Sequence, residues 1–331
     1  MKMRRVYKTR VFLIIVAVSI CLVESVRTVN DDEENDDVEN LENFAVPRET
    51  DTRRIIGIGD IHGDLKYTIA TLARAGLLDL SNQSWIGGDS ILVSMGDVTD
   101  RGPNVIGVIK LLNTLRHQAE LVGGDVIQLL GNHDIMNLMG DWRYVSEKDM
   151  KSFGGHSARK AAFSASGFVG KHFRTLPLVQ IIGTSVFVHA GLTEKYALEG
   201  PDSINARHAR LVHLLGRNED EISAADAAAI KELYGNDGPV WYRGLVKDPE
   251  ELACPLVLRV CKALKVNRIV VGHTKQKRGR ILVRCNYRLI DIDVGIHWGR
   301  IAALEITNNV VKLLQEDESL ILSYDDNYDT K

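Results

Sequence analysis

Acidic and histidine-bearing patches recur along this chain in a fixed order: GDIHGD at 59–64, GDVTDRG at 96–102, GNHD at 131–134, HAG at 189–191 and GHT at 272–274. Carboxylates and imidazoles drawn from separate segments suit a pair of divalent cations. Held about 3.5–4 Å apart, two such ions clamp the attacking and leaving oxygens of an in-line displacement at phosphorus. That geometry demands a bridging carboxylate, and Asp97 is the candidate, with one oxygen for each ion. Asp60 and His62, at i and i+2 on an extended segment, face the same side and can chelate one ion. Asn132, through its carbonyl oxygen, would hold the other with His189 and His273. A water between the ions has its pKa pulled toward neutrality and becomes the nucleophile, so no covalent intermediate is needed.

These residues need rigid placement, and the sequence supplies it. Each of the first three patches follows an apolar, β-branched run (IIGI, ILVSM, VIQLL), which puts Asp60, Asp97 and Asn132 where buried strands end and loops begin. The spacing predicts strands at about 53–59, 90–96 and 125–130, with helices at about 64–77 and 103–119. This βαβαβ opening implies an α/β domain of packed mixed sheets flanked by helices. Residues 156–173 and 202–234 read as helical and suggest an insertion over about 141–235. After GHT, the runs RILVRC, YRLIDID and IAALEI read as strands that close the domain. Asp291 and Asp293 lie there as turn and sheet-edge residues, and His117, His156, His172, His208, His213 and His297 as surface or core residues.

The order and spelling of the patches resemble the metallophosphoesterase (calcineurin-like) superfamily, and within it the phosphoprotein phosphatases, over roughly residues 53–315. GNHD and HAG, where the serine/threonine phosphatases read GNHE and HGG, make the Shewanella-like protein phosphatases the most similar branch. The resemblance implies a calcineurin-like fold of face-to-face mixed sheets and makes Asp60, His62, Asp97, Asn132, His189 and His273 metal ligands. It makes His133 the general acid and Asp100 its partner. Arg101, Asn132 and, from GPVWYRG at 238–244, Arg243 become the phosphate-binding groups. Arginine fits that part because charge spreading over phosphoryl oxygens calls for a fixed fork of N–H donors. The implied activity is hydrolysis of phosphomonoesters on proteins, at serine and threonine or at tyrosine. The mixed nitrogen and oxygen donors suit manganese, iron or zinc better than magnesium or calcium, with manganese expected. A diadenosine tetraphosphate hydrolase shares GNHD, HAG and GHT but usually has alanine at the place of Asp100. A non-catalytic scaffold would be expected to lose ligand positions, and this chain keeps them.

Composition agrees with one large enzyme domain: 331 residues, 45% hydrophobic, formal charge −3. No basic patch interleaved with aromatics points to a nucleic-acid partner. Lys2, Arg4, Arg5, Lys8 and Arg10 precede the uncharged run Val11–Val23, which reads as a signal peptide over 1–25 and directs the chain into the secretory pathway. The run is shorter than the about 20 residues of a spanning helix, so membrane attachment requires its retention as an anchor. An acidic linker over 26–52 follows, and an acidic tail over 316–331 ends the chain. Asn82-Gln-Ser84 is a glycosylation acceptor pattern. Beyond the signal segment remain Cys254, Cys261 and Cys285. The odd count, and the distance between Cys254 and Cys261 along one helix, predict free thiols.

Overall fold

The computed structural model describes residues 53–315 and 319–322; the segments read as signal peptide and linker lie outside the described residues, as does most of the acidic tail. Short apolar runs make the strands. β1 (Ile55–Ile58), β2 (Ile91–Ser94) and β3 (Asp125–Gln128) pair in parallel, and β1 and β2 are buried at every position, as befits strands covered on both faces. The connecting helices Leu65–Arg74 and Val105–Glu120 start where sequence chemistry allows. Asp64 and Asn104 accept the backbone N–H groups of Tyr67 and Gly107 at their first turns.

A second sheet begins with the hairpin β4 (Val179–Ile182) and β5 (Ser185–Val188) and runs through β6 (Arg268–Val271), β7 (Leu282–Arg284) and β8 (Leu289–Asp291) in the order β4-β5-β6-β8-β7. The pairs β5–β6 and β6–β8 are parallel, the outer pairs antiparallel. The first sheet is completed by β9 (Ala302–Thr307), β10 (Val310–Gln315) and β11 (Ser319–Leu322), giving β11-β10-β9-β1-β2-β3. Between β9 and β10, Asn308 and Asn309 both take positive φ (50° and 67°), the conformation of a type I′ hairpin turn that fixes the register Thr307↔Val310. The two mixed sheets lie against each other. At Gly57 on β1 an added Cβ would stand 3.1 Å from Ile292 Cδ1 and 3.8 Å from Phe187 Cε1, so only hydrogen fits comfortably at this crossing. The expected α/β architecture of mixed sheets flanked by helices is the observed one.

Three expectations change. The segment 141–235 is not a purely helical insertion, because β4 and β5 lie inside it as members of the second sheet. Their apolar runs are short and flanked by helical patterns, which hides them. The segment read as an acidic tail contributes β11, paired antiparallel to β10 from Val311↔Leu322 to Leu314↔Ser319. The thiols are not all free: Cys254 and Cys285 form a disulfide with Cα atoms 5.1 Å apart, and Cys261 stays single and buried. Helix rise excludes a Cys254–Cys261 bridge, but the β7–β8 turn brings Cys285 onto the helix Glu250–Leu264. The bridge closes a 31-residue separation. Its removal by Cys285→Ser should cost roughly 3–4 kcal/mol in urea unfolding under non-reducing conditions, and an unchanged midpoint would show that it constrains little.

His208 is a core histidine, its Nε2 donating to Leu176 O at 3.0 Å and its Nδ1 accepting from the Tyr234 hydroxyl at 2.8 Å. Burial pushes its pKa down to about 4. Because the unfolded chain takes up this proton first, stability is fully present above about pH 6.5 and declines as pH falls toward 4, by up to about 3 kcal/mol. His208→Asn should flatten the pH dependence of the unfolding midpoint between pH 7 and 5; an equally steep dependence would assign it to other groups.

Candidate active site

The patches meet at the C-terminal ends of β1, β2, β3, β5 and β6. Backbone bonds stitch their loops together: His62 N–H donates to Asp97 O at 2.8 Å, Gly102 N–H to His62 O at 2.8 Å, and Gly272 N–H to His189 O at 2.7 Å. Five of the candidate residues are held in the left-handed region: His62 (φ 50°), Asp97 (48°), Asp100 (71°), Arg101 (61°) and His273 (65°). Side chains avoid this region, and such strain persists where the surroundings over-determine it, characteristically at functional sites. Gly131 permits a close approach of two loops, since a Cβ there would collide with the carboxylate and backbone nitrogen of Asp97.

Asp97 occupies the centre. Its Oδ1 lies 3.4 Å from His189 Nε2 and accepts the His133 backbone N–H at 2.9 Å, while its Oδ2 lies 3.7 Å from His62 Nε2. His62, Asp97 and His133 form one group of closely converging donor atoms, and Asp97, His189 and His273 a second, all buried. Asp60 joins the first side, 4.0 Å from His62 Nε2, and its Oδ1 accepts the His273 N–H at 3.0 Å. Asn132 Oδ1 stands 3.1 Å from His189 Nε2.

The donor set fits divalent cations. His62 and His189 donate Nδ1–H to the carbonyls of Thr99 and Met95, both at 2.8 Å, which leaves Nε2 bare and aimed inward. His273, hydrogen-bonded to the Trp241 backbone, has a buried Nε2 with no partner. A second-nitrogen hydrogen bond to a carbonyl is the usual device for orienting a metal-binding imidazole. Burial pushes all three histidines below their ordinary pKa, toward the neutral form a cation requires. At His189 a bare lone pair faces two acceptor oxygens, an arrangement costly alone and resolved by a cation. Asp60 is raised well above the carboxylate range by burial and by Asp293 and Asp97. Asp97 would also rise on burial, but the surrounding histidines hold it low.

His133 and Asp100 are in contact, Nδ1 to Oδ2 at 2.6 Å. Asn137 Nδ2 donates to Asp100 Oδ1 at 2.8 Å, so both carboxylate oxygens are engaged. Burial opposes protonation of His133, but Asp97 and the Asp100 hydrogen bond prevail and raise its pKa. Arg101 Nη2 lies 3.1 Å from His133 Nε2, and Arg243 Nη1 donates to His273 O at 2.9 Å. Both guanidinium groups line a cavity of about 220 Å³ whose floor includes Asp60, Asp97, His133 and His273. Beside it a groove of about 510 Å³ is walled by Tyr144, His297, Trp298 and Pro103.

Four residues at the site escape sequence reasoning. Asp293, expected at a sheet edge, is 3% exposed and lines the cavity; burial pushes its carboxyl up to about 6. Asp291 beside it is fully buried, accepting from Gln276 Nε2 at 2.6 Å and from the Asp293 N–H at 2.9 Å. Asp291 ends the short strand β8 and Asp293 follows it, late in the chain where turn residues and site residues look alike. His297 sets its ring edge-on to His62 at 4.7 Å, so it belongs to the site and not to the bland surface. Arg159, wholly buried, pairs with Asp149 at 3.3 Å, lies 4.0 Å from Asp100 Oδ1 and packs 4.4 Å from the Phe163 ring. No local pattern marks an arginine that packing alone brings near Asp100.

A family model of calcineurin-like phosphoesterases matches residues 53–277. The chain belongs to that family. An uncharacterized Schizosaccharomyces pombe protein is 36% identical over 265 residues, 77% of each chain. Shewanella-like protein phosphatase 2 of Arabidopsis thaliana is 31% identical over 296 residues, covering 74% of this chain and 72% of its own. The crystal structure of a cold-active protein-tyrosine phosphatase from a psychrophilic Shewanella species superposes with a TM-score of 0.70 at 26% identity, over 82% of this chain and 80% of that one. Calcineurin-like phosphoesterases are hydrolases that imply divalent metal ions, and the ligand groups converging on Asp97 are the candidates to hold them.

Proposed function

We propose that the protein is a dinuclear metal-dependent phosphoprotein phosphatase. The observation that carries this reading is the placement of Asp97, whose two oxygens address His189 on one side and His62 on the other. Asp60, His62 and Asp97 would hold one ion; Asp97, Asn132, His189 and His273 the other. Bound there, two divalent cations supply an activated water and neutralise charge on the phosphoryl group. Manganese, iron and zinc suit this mixed nitrogen and oxygen donor set, and manganese is our choice.

The chain's own groups do the rest. Arg101 and Arg243 present planar N–H forks at the rim of the cavity, where they can grip the equatorial phosphoryl oxygens, with Asn132 Nδ2 as a further donor. A bound phosphoryl group gives Arg101 an anion to turn to, which frees His133 Nε2 to carry a proton. Asp100 orients the imidazole and stabilises its protonated form, and His133 then hands that proton to the departing oxygen. The groove walled by Tyr144 and Trp298 receives the leaving group. Its aromatic walls favour a phosphotyrosyl ring by stacking, without excluding phosphoserine or phosphothreonine. The names of the Arabidopsis and Shewanella relatives support protein substrates. An assay with phosphotyrosine, phosphoserine and phosphothreonine peptides and a dinucleotide tetraphosphate tests the reading: faster cleavage of the dinucleotide would replace it with the nucleotide hydrolase alternative.

We further infer passage through a secretory lumen. Disulfides such as Cys254–Cys285 form and persist in oxidising compartments, which supports this reading, and Asn82 is exposed in a turn where its Oδ1 accepts the Ser84 N–H at 3.0 Å. Among the described residues no helix is long and apolar enough to cross a membrane, so attachment would depend on retention of the N-terminal segment as an anchor.

A further inference from the structure

Two loops that border the cavity carry cations which the protein itself does not use. Residues 272–281 connect β6 to β7, and residues 292–301 connect β8 to β9. They are joined to each other: Gln276 N–H donates to Asp293 O at 2.9 Å, and the stem of Arg300 lies along Gly279, where an added Cβ would come 2.9–3.0 Å from its Nε, Cδ and Cγ. Lys275 extends over Gly295 and caps the Trp298 ring, its Nζ 2.8 Å from the centroid, with both side chains lining the cavity. On the same two loops Lys277, Arg278 and Arg300 are exposed.

Arginine use over the rest of the described surface makes this rim unusual. Arg116 pairs with Glu120, Arg143 with Asp141, Arg207 with Glu199, Arg210 with Asp226, Arg259 with Glu194 and Arg284 with Glu250. Others, such as Arg74 and Arg217, donate to backbone carbonyls. Among the described residues, Arg278 and Arg300 are the two arginines with neither a hydrogen bond nor an ion pair. Both stand on the two loops whose Lys275 and Trp298 line the cavity. A guanidinium offers five N–H donors in a fork that matches a carboxylate, and two open forks beside a lysine make a basic patch on the loops that border the cavity.

We propose that Arg278 and Arg300, with Lys277 next to Arg278 in the chain, form a docking track for acidic residues flanking the phosphorylated residue of a protein substrate. This rests on the reading of the site as a phosphoprotein phosphatase and adds the class of sequence it selects. The complementarity is electrostatic: the cavity recognises the phosphoryl group, and the track recognises aspartate and glutamate side chains a few residues along the same peptide. Contacts of this exposed kind act mainly through encounter and ground-state binding, so they should appear in KM and weaken with salt.

The test compares phosphopeptides of equal length with Asp/Glu or Ser/Ala flanks, together with a small aryl phosphate, using wild type and the double variant Arg278→Ala/Arg300→Ala. Wild type should favour the acidic peptide by about tenfold in kcat/KM at low ionic strength, through KM, and the preference should shrink in 0.5 M salt as charges beyond roughly 4 Å are screened. The double variant should lose that preference while hydrolysing the aryl phosphate and the neutral peptide at the wild-type rate. Equal handling of both peptides by an active wild type, or a preference that survives the double substitution, would overturn the docking track. Binding to phosphatidylserine vesicles that the double substitution abolishes, with no peptide preference, would reassign the surface to a membrane. Failure of wild type to hydrolyse any phosphate ester would instead defeat the underlying reading of the site.

Discussion

Asp97→Asn should lower the turnover of a small aryl phosphate by at least about 10³-fold while leaving the fold intact. The substitution is nearly isosteric, and asparagine tolerates the left-handed backbone found here (φ 48°). An amide oxygen can still accept the His133 N–H that Asp97 Oδ1 now accepts at 2.9 Å. What disappears is the negative charge that two ions would share and the second oxygen that reaches toward His62 at 3.7 Å. Removing that charge relieves repulsion with Asp60 and Asp134, whose carboxyl groups it helps to raise. The thermal midpoint of metal-free protein should therefore hold or rise. Wild-type-like turnover in a folded Asp97→Asn variant would refute the shared-carboxylate assignment.

His133→Asn should have the next largest effect, and the effect should depend on the leaving group. With an alkyl phosphate such as phosphoserine the loss should be about 10²–10³-fold, because the departing alkoxide needs a proton. With a nitrophenyl ester, whose phenoxide leaves readily, the loss should be several-fold at most. Bound metal should remain, since His133 is tied instead to Asp100 at 2.6 Å. The pH profile carries the same signature. An acid works while protonated, so turnover of the alkyl ester should be sustained below the His133 pKa and lost as pH rises through it. The Asp100 hydrogen bond raises that pKa, so Asp100→Asn should move the alkaline limb to lower pH. A loss of equal size for both leaving groups, or an unmoved limb, would take His133 out of the acid role.

The part of this site that is legible in sequence is the part where local rules act. Asp60, Asp97 and Asn132 each follow a buried apolar run, and a strand that ends in a glycine turn can be read from a few residues. His189 and His273 are legible through the spelling of their patches, and the structure brings them within reach of Asp97 from strands β5 and β6. Contacts made across long sequence separations are not legible in this way. Asp293 reaches the cavity because β8 lies beside β6, Cys285 meets Cys254 because a turn lands on a helix, and Arg159 approaches Asp100 through the packing of Phe163. Strands β4 and β5 are hidden for a related reason, being short runs whose pairing comes from tertiary neighbours more than from their own pattern. The Asn308-Asn309 turn was a readable hairpin signal between two apolar runs.

The most direct measurement is the metal content of the purified protein, taken alongside its phosphatase rate during stepwise removal and restoration of manganese. Two ions should bind per chain, turnover should appear as the second site fills, and Asp97→Asn should weaken both sites while leaving turnover near background. Full turnover with a single ion, or with none, would contradict a site built around one carboxylate shared between two cations.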